Sequence, residues 1–212
     1  MSLAVTVGIL VDLKKHDEEG LTWHREKFRK VNEALMAKDL PQHVEPETLP
    51  HLRPRNRLAS FPYSFLHHFR RFKAYATDDP SWKPEPFPKD ADPAHDHLVE
   101  EQALRFHSHL LCHSDCEGYY VPVEFDEPIF ADEQQIPGGM LGSSHWLMRE
   151  LLEVAPYLGI SVPNGILSDA EAERINAIIE VEVPFWIEMT VWLSLFEAAR
   201  LSIEHRTAIC FT

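Results

Sequence analysis

Between Leu3 and Leu13 the apolar, mostly β-branched residues Val5, Val7, Ile9 and Val11 alternate with other positions. That period of two predicts a strand, with Gly8 as its weak point. The period then changes. Leu21, His24, Phe28, Val31 and Leu35 recur at intervals of three and four, predicting an amphipathic helix over about residues 18–38 that Pro41 ends. Pro41, Pro46, Pro50 and Pro54 make residues 41–58 an extended surface loop. Beyond it, Phe61, Phe65, Phe69, Phe72 and Ala76 form one stripe after Pro62, a residue accepted in a first helical turn, so a second helix with an aromatic core face is expected.

A second proline-rich loop covers residues 78–93. Val99, Ala103, Phe106 and Leu110 then predict a helix from His95 to His113. Gly118 opens an expected strand over residues 119–125, which Pro122 assigns to a sheet edge or a bulge. A glycine loop leads into a helix over about residues 144–158, and Ser168 with Glu171 forms a capping box for another, with Ala172, Ile175, Ile178 and Ile179 on its inner side. Pro184 interrupts it. From Phe185 to Leu201 apolar residues surround most of the helix circumference, which requires burial on several sides and marks a central helix. The expected fold is a mostly helical α+β single domain over residues 1–212. At least five helices accompany a small antiparallel or mixed sheet.

The chain has 212 residues, of which 44% are hydrophobic, enough for one substantial core. The most apolar segment, Val183 to Ala199, is interrupted by Glu188 and Glu197, so no membrane span is expected. The start of the chain shows no signal-peptide pattern. Cys112, Cys116 and Cys210, an odd number, read as free thiols of a reducing compartment, and a cytoplasmic location is expected.

Charge is unevenly spread. The net charge is −14, yet residues 1–90 carry 15 basic and 13 acidic side chains whereas residues 91–212 carry 5 and 21. Such a field disfavours nucleic acid and anionic membranes, and it favours a basic protein partner or colloidal solubility. The basic, aromatic-rich stretch from Arg53 to Tyr75 has the composition of a nucleic-acid surface. With so acidic a second part, its arginines are expected to pair internally instead.

Three constellations hold candidate chemistry. His107, His109, Cys112, His113 and Cys116 are metal-ligand types, for zinc or another divalent metal; on a continuous helix the last four share one side, leaving two ligands to come from elsewhere. Cys112, His113 and Asp115 are candidates for thiol-based catalysis. The competing expectation is a packed core histidine beside small buried thiols. Gly138, Gly139, Ser143 and Ser144 precede a helix start whose amides are candidates for binding phosphate or carboxylate, against a plain turn with a serine cap. Asp115, Glu117, Glu124, Asp126 and Glu127 surround the 119–125 strand, either as an acid–base or cation site or as a solvated edge. The chain has no HExxH, G-x-S-x-G, G-x-G-x-x-G or Walker lysine. The expected function is therefore a non-catalytic protein-binding module, in its sharpest form an immunity- or inhibitor-type partner of a basic protein. The alternative is a metal- or thiol-dependent enzyme or small-ligand protein using residues 107–116.

Overall fold

The computed structural model describes residues 2–58, 60–88 and 92–212. Strand β1 (Ser2–Val7) stops where Gly8 takes the left-handed conformation, φ 78°, and the chain turns directly into helix α1 (Ile9–His16). A side chain at Gly8 would also place its Cβ 2.6 Å from Leu49 Cδ1. The strand expected to run to Leu13 is therefore shorter, and Ile9 and Val11 are helical. Helix α2 (Glu18–Met36) is capped by Asp17, whose side chain accepts the Gly20 N–H, and it buries the anticipated stripe of Leu21, His24, Phe28, Val31 and Leu35. No helix or strand forms over residues 41–58.

Strand β2 (Ser60–Pro62) leads into helix α3 (Tyr63–Asp78), which buries Leu66, Phe69, Phe72 and Ala76. The helix expected from His95 to His113 is two short ones, α4 (His97–Ala103) and α5 (His109–Cys112), separated by a break in which Phe106 has φ 57°. Strand β3 (Gly118–Val121) ends just before Pro122, which has no N–H to continue a ladder. It is interior, not an edge. Strands β4 (Ile129–Phe130) and β5 (Met140–Ser143), helices α6 (Ser144–Val154), α7 (Asp169–Glu180) and α8 (Trp186–His205), and strand β6 (Ile209–Phe211) complete the chain.

The six strands form one mixed sheet in the order β2-β1-β6-β3-β5-β4, with β3 and β5 parallel and the remaining neighbours antiparallel. Alternation sends Tyr119, Val121, Leu141 and Cys210 to one face, against α1 and α2, and Tyr120, Ile209 and Phe211 to the other. On that second face lie α3, α6 and α7, packed around α8. The polypatterned sequence of α8 is explained by this position, because Met189, Val191, Trp192, Leu193, Leu195 and Phe196 are all buried although they point in every direction. Trp192 is fully enclosed, and its indole N–H donates to Leu151 O at 2.8 Å. Enclosing one side chain of this kind contributes about 2–3 kcal/mol. The mostly helical α+β class expected from the sequence is the observed one. Among the described residues no helix is long and apolar enough to cross a membrane.

Candidate protein-binding surface

The break between α4 and α5 dismantles the metal-binding geometry assumed for a continuous helix. α5 ends at Cys112 and His113 is extended, so His109, Cys112, His113 and Cys116 share no helix face. His109 is buried; its Nδ1 accepts the Ser143 N–H at 2.9 Å and its Nε2 donates to Asp126 O at 3.1 Å. Burial lowers its pKa to about 4. His113 stacks on Tyr120 with ring centres 4.3 Å apart and donates from Nδ1 to Ser114 O; burial lowers its pKa to about 3. His107 is exposed. Among the described residues no three His, Cys, Asp or Glu side chains gather where they could hold a metal ion.

Cys112, His113 and Asp115 each have separate partners. The Cys112 thiol contacts Ala103 O at 3.5 Å, and burial pushes its pKa up to about 11, away from a reactive thiolate. Cys116 is exposed beside Ser114. Asp115 turns toward α3, where Arg70 Nη1 donates to it and His67 Nε2 lies 3.2 Å away. The glycine loop is equally occupied by structure. Gly138, at φ 72°, makes a tight turn against Glu117 and Ser114, and Gly139 N–H donates to Ile136 O. Ser143 caps α6 and also donates to Val123 O at 2.7 Å; Ser144 bonds Ser202. Both serines are fully buried and their hydroxyls are engaged within the fold.

Most basic residues of the Arg53–Tyr75 stretch pair internally, as expected of that stretch in an acidic chain. Arg55 binds Glu197, Arg57 binds Glu173 and Glu180, Arg70 binds Asp115, Arg71 binds Asp96, and Lys73 binds Glu153. Every one of these carboxylates lies beyond residue 91. Glu101, Glu124, Glu171 and Glu204 of that half also have arginine partners, but other acids there make no salt bridge among the described residues.

The largest such stretch follows α4. From Phe106 to Met148 the chain has no lysine or arginine and seven carboxylates: Asp115, Glu117, Glu124, Asp126, Glu127, Asp132 and Glu133. Arg149 reaches back to Glu124 and lies 3.9 Å from Asp126. Glu117, Glu127, Asp132 and Glu133 are exposed and make no salt bridge among the described residues, although Lys27 and Lys30 of α2 donate to Gln134 O beside them, at 2.7 and 3.2 Å. Glu127, Asp132 and Glu133 bracket β4, the outermost strand on this side of the sheet. Its Phe130 meets Phe106 edge to face, with ring centres 5.3 Å apart. Both rings stay open to solvent, at 55% for Phe106 and 48% for Phe130. Isolated exposed apolar residues are ordinary, but an aromatic pair framed by unpaired carboxylates has the anatomy of a contact site: an apolar centre with a charged rim.

The result is an acidic α+β protein in which most cations of the Arg53–Tyr75 stretch pair with acids of the second part, while Glu117, Glu127, Asp132 and Glu133 are exposed without a salt bridge among the described residues. Across residues 1–211 the chain matches the family described as "Putative DNA-mimic protein", and it belongs to that family. No curated protein and no solved structure matches the chain. The carboxylates around β3 were visible in the sequence, as was the absence of cations beside them. The exposed Phe106–Phe130 pair was not, because Phe106 sits at a helical spacing that predicts burial and only the break after α4 turns it out.

Proposed function

We propose that this protein binds a basic, DNA-binding protein by presenting carboxylates where that partner expects phosphates. The observation that carries the reading is the segregation of charge: Arg55, Arg57, Arg70, Arg71 and Lys73 pair within the fold, and the 106–148 segment, which has no lysine or arginine of its own, exposes Glu117, Glu127, Asp132 and Glu133 without a salt bridge among the described residues. Membership of the DNA-mimic family supports it. DNA presents about one negative charge per 1.7 Å of helix axis, and proteins that recognise it do so chiefly with lysine and arginine. A folded, acidic surface attracts the same side chains and steers them by the same long-range field. Occupying a partner's DNA site makes this an inhibitor-type protein, and an immunity role against a nuclease is its most specific form.

Exclusion is the decisive property. Purified protein should capture DNA-binding proteins released from DNA–cellulose, and short duplex DNA should displace each captured partner in proportion to that partner's own affinity for DNA. Capture should also weaken steeply with salt, since released counterions set the slope. A stable ternary complex of protein, partner and duplex would sink the proposal.

A further inference from the structure

On the helical side of the molecule, away from β4, a pocket of about 440 Å³ opens between α3, the loop before Lys89 and the start of α8. His68, Phe87, Glu182, Phe185, Trp186 and Glu188 line it, with prolines between them, and no lysine or arginine is among the described residues of its wall. Glu188 is only 7% exposed. A buried carboxylate normally has a hydrogen-bonding or ionic partner, because leaving it without one costs several kcal/mol. Glu188 accepts from its own backbone N–H, but among the described residues no lysine or arginine lies within salt-bridge distance of it; the group facing it is His68 Nδ1 at 4.0 Å, too far for a hydrogen bond, and that nitrogen is buried with no partner among the described residues. Burial raises the Glu188 pKa and lowers that of His68.

The two facing groups are thus a carboxylate and a neutral imidazole, which becomes a second acceptor in its Nε2–H tautomer. A buried carboxylate with no close cation beside an imidazole nitrogen with no donor calls for a positively charged ligand rich in N–H. Aromatic rings at Phe87, Phe185 and Trp186 suit a positive charge, since their faces carry negative potential. One cation already uses this surface: the Arg71 guanidinium lies 4.8 Å from the Phe87 ring centre and donates to Asp96 at 3.1 Å, so its own charge is neutralised. Glu182, exposed and without a salt bridge among the described residues, adds a second carboxylate at the mouth.

We propose that this pocket binds an alkylammonium or guanidinium group, whose N–H donors complete Glu188 and His68 while its charge rests among the Phe87, Phe185 and Trp186 rings. The source of that cation rests on the function proposed above: a lysine or arginine side chain of the basic partner. A free small amine has the same chemistry and is separated from it by experiment.

The test uses the full chain, nitrogen-15 labelled, titrated with butylammonium chloride, N-acetyl-arginine amide and the neutral isostere N-acetyl-citrulline amide. Saturable shifts of the Trp186 indole and the 185–188 amides with both cations, and none with citrulline, are expected. Glu188→Gln, which preserves shape and removes a buried charge, should weaken cation binding at least fivefold without lowering Tm, and His68→Phe should weaken it with Glu188 intact. Equal response to citrulline, or cation affinity unchanged in both variants, overturns the proposal. If partner capture is also weakened fivefold by Glu188→Gln, the cation comes from the partner; if only the small amines respond, it is a free ligand. Cation binding here while duplex DNA fails to displace the captured partners would leave the pocket standing and remove the DNA-mimic reading, and the reverse pattern would remove the pocket alone.

Discussion

Arg55 and Glu197, 142 residues apart, form the ion pair that ties the proline-rich loop to the central helix: Arg55 Nε donates to Glu197 Oε1 and its backbone N–H to Oε2, each at 2.9 Å. Glu197 is fully buried, and Arg200 is its second partner at 2.8 Å. Burial pushes the carboxyl pKa up, but hydrogen bonds from Arg200 and Arg55 outweigh it and hold the value below the ordinary 4.5. Removing Arg55 leaves a buried charge half-compensated. Arg55→Ala should therefore cost about 3 kcal/mol, the lower end for breaking a buried pair because Arg200 remains. Since the folded-state pKa is depressed, the contribution is present above pH 4.5 and is lost as pH falls through the folded value. Urea unfolding of wild type and Arg55→Ala at pH 7 and pH 3 checks both points: the gap between them should shrink in acid.

Glu150 on α6 shows the opposite sign. It is completely enclosed, where it accepts from Ser108 Oγ and from the Leu110 N–H at 2.9 Å and so anchors α5. Burial raises its pKa to about 7. A raised carboxyl pKa gives stability that is full below pH 4.5 and is lost as pH rises through about 7. Glu150→Gln removes that loss, so relative to wild type it should gain on the order of 3 kcal/mol between pH 4.5 and pH 8. The comparison of the two proteins is what isolates Glu150, because His24, His109 and His113, lowered by burial, titrate in the other sense. Parallel stability curves for the two proteins across this range would contradict the assignment.

The three thiols should separate by rate. Cys116 is exposed, whereas burial pushes Cys112 up to about 11 and Cys210 up to about 12. A thiol reagent such as dithiobisnitrobenzoate at pH 8 should modify one cysteine per folded chain quickly, with the other two reacting only after unfolding. Rapid reaction of Cys112, located by mass spectrometry, would reopen the thiol-enzyme reading.

Helices with long, strict stripes were legible in the sequence: the spacing of Leu21 to Leu35, the Ser168–Glu171 box and the apolar circumference around Trp192 each correspond to an observed helix. Short elements were not. Strands β2, β4 and β6 have two or three residues apiece, too few for a period to register, and they exist because neighbouring strands supply their hydrogen bonds. The His/Cys segment misled for a related reason. Its helical spacing is real, but Ser108 caps a new helix whose Leu110 N–H is held by Glu150, 40 residues later, so a tertiary contact overrides local periodicity. The charge pattern carried furthest, because lysines and arginines concentrated before residue 90 and acids after it must either pair across the fold or repel.

The acidic rim of β4 makes the sharpest prediction for recognition. Glu127 and Glu133 are exposed, free of salt bridges among the described residues and placed on either side of Phe130 in the chain, so reversing them alters the field without disturbing packing. Glu127→Lys/Glu133→Lys should change Tm little, since solvated surface charges contribute under about 0.5 kcal/mol each. It should nonetheless slow association with any captured DNA-binding partner by about tenfold or more at low salt, an effect that fades as ionic strength rises. Phe106→Ala/Phe130→Ala should act on the other rate: losing two partly buried rings at a contact centre accelerates dissociation, leaves the salt slope unaltered and costs on the order of 2 kcal/mol of affinity. Stopped-flow or surface-plasmon kinetics resolve the two effects. The same reversal at Glu18 and Glu19, exposed acids at the start of α2, serves as the control for net charge. If that control slows association as much as the β4 pair, the partner senses only total charge and β4 is not its docking edge.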